Sequence, residues 1–197
     1  MILDLSILLA VFTVAFVVQF ADRRWFVVPL GRLFVVGMLI GASWEVPLYL
    51  AGPRFLEDPM WTMGAPYPMH PLVLPVTHSI LDGGLFLIGL VMLKLASPSK
   101  MFETFSRRDL GLLVAYGLVQ AALIEWIALS ADAGWQYTMT AWNPALFWVD
   151  GKPFTALPLM IWFAAPIAYY LIALRMSQCP KMMEQIRRER CPNVAEA

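Results

Sequence analysis

The chain has 197 residues, of which 60% are hydrophobic and 14% charged, with a mean hydropathy of +0.67. Soluble domains carry roughly 45–50% apolar and about 25% charged residues, so a water-soluble globule is excluded. The formal net charge is zero and no nucleic-acid motif is present, which leaves an all-α polytopic membrane bundle as the expected fold class.

Hydropathy predicts five transmembrane helices: about 2–20, 33–51, 72–95, 110–130 and 156–174. Each is long enough to cross a hydrocarbon core of about 30 Å, and helices satisfy their backbone groups internally where lipid offers no partner. The first span lacks a basic leader and is followed by Arg23 and Arg24 rather than a small-residue cleavage site, so it reads as a retained anchor.

Basic residues set the direction. Arg23, Arg24 and Arg32 fall between spans one and two, and Lys94, Lys100, Arg107 and Arg108 between three and four. Arg175, Lys181, Arg187, Arg188 and Arg190 follow span five, leaving only Arg54 and Lys152 in the other loops. The positive-inside rule then predicts an external amino terminus and a cytoplasmic carboxyl terminus, in a bacterial inner membrane. Residues 1–175 form the membrane domain and 176–197 a polar tail, expected as a short surface helix. Cys179 and Cys191 in that tail match no zinc spacing.

The two external loops are rich in proline and aromatics. Residues 53–71 hold Pro59, Pro66, Pro68, Trp61 and Tyr67; residues 131–155 hold Trp135, Tyr137, Trp142, Asn143, Phe147 and Trp148. Such density suits a membrane–water boundary or a lid over an opening between helices.

Glu45, His78, Asp82 and Glu125 lie inside predicted spans. An ionisable side chain at bilayer depth costs at least about 2.5–3.5 kcal/mol on insertion scales, so such residues face the bundle interior and pair or bind something. At a rise of about 1.5 Å per residue, all four fall in the outer half of the membrane. His78 and Asp82 are four apart and share a helix face, where a carboxylate can orient the imidazole for proton transfer. The bland alternative is a polar contact gluing helices together.

An indole neighbours two of the acids, in Trp44-Glu45 and Glu125-Trp126, and only one of each pair is expected to face inward. Pro47 is expected to kink span two beside Glu45, and Gln120 to line the same cavity deeper down. Gly37 and Gly41, with Gly83, Gly84 and Gly89, suit close helix packing. There is no phosphate-cradling loop, GxSxG or CxxC, and no cofactor is expected. One histidine and three carboxylates could ligate iron or manganese, and Met60, Met63, Met69 and His70 could take copper(I), but neither set has a recognised spacing.

The run Thr77-His78-Ser79-Ile80-Leu81-Asp82-Gly83-Gly84 resembles the His-x-x-x-Glu-Gly motif of the emopamil-binding-protein (EXPERA) family, small helical membrane proteins with a sterol-isomerase or ligand-binding pocket. Val119-Gln120 followed by Glu125 is similar to that family's later glutamine-and-acid helix. The resemblance implies that His78 and Asp82 shuttle protons while Glu125 helps to hold a carbocation-like intermediate. A second resemblance, through Trp44-Glu45 and through Glu125, Trp135, Tyr137, Asn143 and Pro158-Leu159, is to small integral-membrane terpene cyclases and carotenoid-modifying enzymes. Both families set buried acids on greasy polycyclic or isoprenoid substrates.

The expected activity is therefore isomerisation, cyclisation or hydration of a lipophilic substrate by proton transfer. Glu45, His78, Asp82 and Glu125 are the candidate catalytic residues, and Trp44, Gln120, Trp126, Tyr137, Trp142 and Asn143 the candidate substrate-binding ones. Membrane lipids and the lipophilic substrate are the expected partners, with a homodimer or larger membrane complex open. The rivals are a non-catalytic membrane or lipid-binding subunit and a proton-coupled transporter, the latter disfavoured by the lack of an inverted repeat.

Overall fold

The computed structural model describes residue 28 and residues 30–64, 70, 72–96, 101–130 and 134–190. The predicted first span and the arginine pair after it lie outside the described residues. The other four predicted spans are helices: α1 (Leu30–Leu50), α2 (Val73–Ala96), α3 (Arg107–Ser130) and α4 (Leu157–Arg190). All four carry a stretch long and apolar enough to cross a membrane. The helix expected for the tail is not separate, because α4 runs unbroken from its apolar part, Leu157–Gln178, to Arg190. Pro47 does not end α1, which continues to Leu50 before Gly52 and Pro53 stop it.

Glycine sets how closely the helices approach. A methyl group on Gly37 would lie 3.1 Å from the Gly83 Cα and 2.9 Å from the Phe86 ring, so α1 and α2 meet almost backbone to backbone. On α3, Gly117 would place a methyl 2.8 Å from the Trp162 carbonyl oxygen of α4. Close contact of this kind replaces the hydrophobic drive that lipid removes. Aromatics fill the centre: Phe86 stacks on Tyr169 with ring centroids 4.4 Å apart, and Trp162 lies against both Phe86 and Trp44. Tyr116 of α3 crosses over Gly89 and donates to the Leu85 carbonyl of α2 at 2.9 Å.

At one end of the bundle the helices are tied by the turn before α3. Met101 and Phe102 are buried, Phe102 with φ 65°, and the Ser177 hydroxyl of α4 donates to the Phe102 carbonyl. The Tyr170 hydroxyl accepts the Ser106 N–H at 2.8 Å.

A purely helical chain was expected, yet the loops at the opposite end contain four short strands. β1 (Trp61–Met63) pairs antiparallel with β2 (Trp135–Tyr137), matching Trp61 to Tyr137 and Met63 to Trp135. β3 (Ala145–Val149) and β4 (Lys152–Thr155) form a hairpin turning at Asp150-Gly151, both with positive φ. Backbone groups near an apolar phase need partners, and proline-broken segments too short for helices find them in each other. Windows of about twenty residues average strands of three to five residues away.

Candidate functional site: a cavity under an aromatic ribbon

Alternation along a strand sends every second side chain to the same face. In the β1–β2 ribbon, Trp61 and Met63 of one strand and Trp135 and Tyr137 of the other line a cavity of about 110 Å³ between the helix ends. The Trp61 indole anchors this roof by donating to the Leu48 carbonyl at 2.6 Å, near the end of α1. Two bonds from Thr138, to the Met60 and Pro59 carbonyls, fasten its far side.

Glu45 of α1, His78 and Asp82 of α2 and Glu125 of α3 all line this one cavity. The remaining wall is apolar or aromatic, including Leu74, Leu81, Ile124 and, from α4, Pro158, Ile161 and Trp162. His78 Nδ1 lies 3.2 Å from Glu45 Oε2, with each side chain 17% exposed. This pair joins two helices, a partnership that spacing within α2 does not reveal. The His78 ring also lies 5.6 Å from that of Trp135.

Asp82 is buried and packs directly on α1: a methyl at Gly41 would come within 2.6 Å of its Oδ2. Trp44 donates a side-chain hydrogen bond to this carboxyl group. Glu125, 2% exposed, accepts the Trp135 indole N–H on Oε2 at 3.0 Å. Among the described residues, neither Asp82 Oδ2 nor Glu125 Oε1 has a protein hydrogen-bond partner. Burying such an atom without a partner costs about 1–3 kcal/mol.

Tyr137 hangs from the roof near all three acids. Its burial, and then the charges of Glu45, Glu125 and Asp82, push its hydroxyl well above its ordinary value. It therefore remains a neutral hydrogen-bond donor throughout the physiological range.

The expected substrate-binding residues divide. Trp44 and Tyr137 line the cavity. Trp44 and Glu45 both face it, although helix neighbours were expected to split, because residues about 100° apart straddle a wide opening. The Glu125-Trp126 pair does split: Trp126 is 55% exposed on the outer side of α3. Gln120 is buried outside the cavity wall, its amide nitrogen bonded back to the Gly117 carbonyl. Trp142 is exposed. Asn143 is a structural clasp, accepting the Leu157 N–H at 2.8 Å at the start of α4 and donating to the Thr138 carbonyl at 3.1 Å.

The cavity residues outside the candidate catalytic and substrate-binding sets include Trp61, Met63, Trp135 and Trp162. Pro158, Ile161 and Trp162, at helical spacing on one face of α4, were a readable signal; the ribbon register was not. Among the described residues, no three His, Cys, Asp or Glu side chains group as metal ligands. Met69 lies outside the described residues, while Met63 sits in the cavity and His70 Nδ1 accepts the Leu72 N–H at 3.3 Å. No protein-family model, curated protein or solved structure matches the chain.

Proposed function

We propose that this chain is an integral membrane enzyme that isomerises, cyclises or hydrates a lipophilic, isoprenoid- or sterol-like substrate by proton transfer. In this reading five helices span the membrane, the amino terminus is external, and the cavity opens within the outer leaflet. The reading rests on one observation: three carboxyl groups and an imidazole from three helices converge in a cavity whose other walls are apolar or aromatic.

That composition suits acid–base chemistry on carbon. A protonated Asp82 or Glu125 gives a proton to a carbon–carbon double bond, leaving positive charge on the neighbouring carbon. The aromatic faces of Trp44, Trp135 and Tyr137 attract that charge, and the remaining carboxylates stabilise it in a medium of low dielectric. His78, oriented by Glu45, removes a proton from an adjoining carbon to close an isomerisation or cyclisation, or from an added water to complete hydration. Isomerisation and cyclisation thus take up one proton and release one.

A structural polar network fits less well, since such a network leaves few of its members unpaired. Among the described residues, Asp82 Oδ2 and Glu125 Oε1 are instead buried without a protein partner, on two residues that line the same cavity. The test begins with the lipid that co-purifies with the protein, extracted and identified by mass spectrometry. That lipid, or its immediate precursors, is then offered to wild type and to E45Q, D82N and E125Q. Turnover by wild type and its loss in these variants, with folding retained, supports the proposal. Full activity in all three ends it, and loss of assembly without any turnover in wild type favours a structural subunit.

A further inference from the structure

The β3–β4 hairpin presents a surface that the cavity does not use. A strand with one face against protein hides every second residue, but Leu146, Phe147 and Trp148 are consecutive and all exposed, at 51%, 42% and 59%. Over these three residues β3 is apolar and exposed while its partner β4 is largely buried, and contiguous exposed apolar surface of this kind marks a site of interaction.

Its position identifies what surrounds it. Phe147 stacks on Phe154 and lies 6.3 Å, ring to ring, from Trp126, an exposed residue on the apolar stretch of α3. Val149 and Phe154 form one buried cluster with Leu129, and Ala122 packs against it. Ala122 is eight residues before the end of α3, so the cluster reaches about 12 Å below that end at helical rise. Exposed Leu123 and Ile127 of α3 continue the same outward surface. The hairpin therefore extends an apolar face of α3 that none of the described residues covers.

We propose that the β3–β4 hairpin is seated in the bilayer, at the boundary between headgroups and acyl chains, as a membrane foot beside α3. Aromatic side chains favour that level, and the outer strand edge, whose backbone groups need partners, keeps the hairpin out of the hydrocarbon centre. The foot is continuous with the cavity wall: Asn143, just before β3, clasps the start of α4, where Pro158, Ile161 and Trp162 line the cavity. The proposal is independent of any catalytic role for the acids.

Site-directed spin labelling in lipid nanodiscs tests it. In a background with Cys179→Ser and Cys191→Ser, nitroxides are placed at Leu146 and Trp148. Leu123, on the apolar stretch of α3, serves as the lipid reference, and exposed Glu57 in the α1–α2 loop as the water reference. The ratio of collisions with oxygen to collisions with a water-soluble nickel chelate is expected to lie nearer the Leu123 value at both hairpin sites. Values nearer Glu57 overturn the proposal. A second measurement needs no label: W148F is expected to lower the fraction of tryptophan emission quenched by lipids brominated near the headgroup. An unchanged fraction counts equally against it.

Discussion

Replacing Trp135 with phenylalanine removes one bond and leaves most of the roof in place. Trp135 supplies the hydrogen bond at 3.0 Å to Glu125 Oε2, while Glu125 Oε1 has no protein partner among the described residues. In W135F the carboxyl group, only 2% exposed, loses this bond on its way to being wholly unsatisfied. A hydrogen bond to a neutral carboxyl group is worth about 0.5–1.5 kcal/mol, and one to a charged carboxylate about 1.5–3 kcal/mol. The smaller ring also leaves a gap, which costs stability whether or not Glu125 is present. A double-mutant cycle with E125L separates the two, since the gap is common to both backgrounds. Stability is read by unfolding in detergent micelles. The expected coupling between positions 125 and 135 is therefore about 0.5–3 kcal/mol, at the upper end if Glu125 is ionised. Additivity, with W135F costing the same in both backgrounds, would refute the claim that the ribbon holds the acid.

Three further outcomes follow from the geometry. G41A is expected to displace Asp82, since the new methyl would lie 2.6 Å from its Oδ2; it should destabilise by about 1–3 kcal/mol and depress turnover, whereas G111A, with nothing within 4 Å, should leave both nearly unchanged. N143A removes the bonds to Leu157 and Thr138 and should cost about 1–3 kcal/mol, measured by the same unfolding assay, without touching the acids. The raised Tyr137 hydroxyl keeps its proton in the folded state after unfolded tyrosine has lost it, so stability is unaffected below about pH 10 and falls as pH rises beyond it. Y137F should reduce that alkaline fall; an identical pH profile for wild type and variant counts against the placement of Tyr137 beside the acids.

The helical part of the fold was legible because spanning segments must be long and continuously apolar. The predicted boundaries near 33–51, 72–95 and 110–130 differ from α1, α2 and α3 by only a few residues. The four ionisable residues were legible for a related reason: Glu45, His78, Asp82 and Glu125 stand out in segments that otherwise exclude charge, and similar depths placed them in one layer. The rest depended on distant contacts. The Glu45–His78 pair needs the azimuth of α1 against α2, which Gly37 and Gly83 set through backbone contact and Gly41 through contact with the Asp82 side chain. The ribbon brings Trp61 to Tyr137 across more than a third of the chain, and three-residue strands carry too little pattern to be read. Trp126, Trp142 and Asn143 were drawn toward the site by their residue types. Facing direction decides Trp126 and Trp142, and backbone hydrogen-bonding need decides Asn143.

Deuterium transfer bears most directly on the acid–base account. Purified protein in nanodiscs is incubated in deuterated water with the co-purifying lipid or its precursors, and the products are analysed by mass spectrometry. The account predicts carbon-bound deuterium introduced by wild type and lost in D82N, E125Q and H78A. Product formed by wild type without carbon-bound deuterium, or equal labelling by wild type and all three variants, would contradict it.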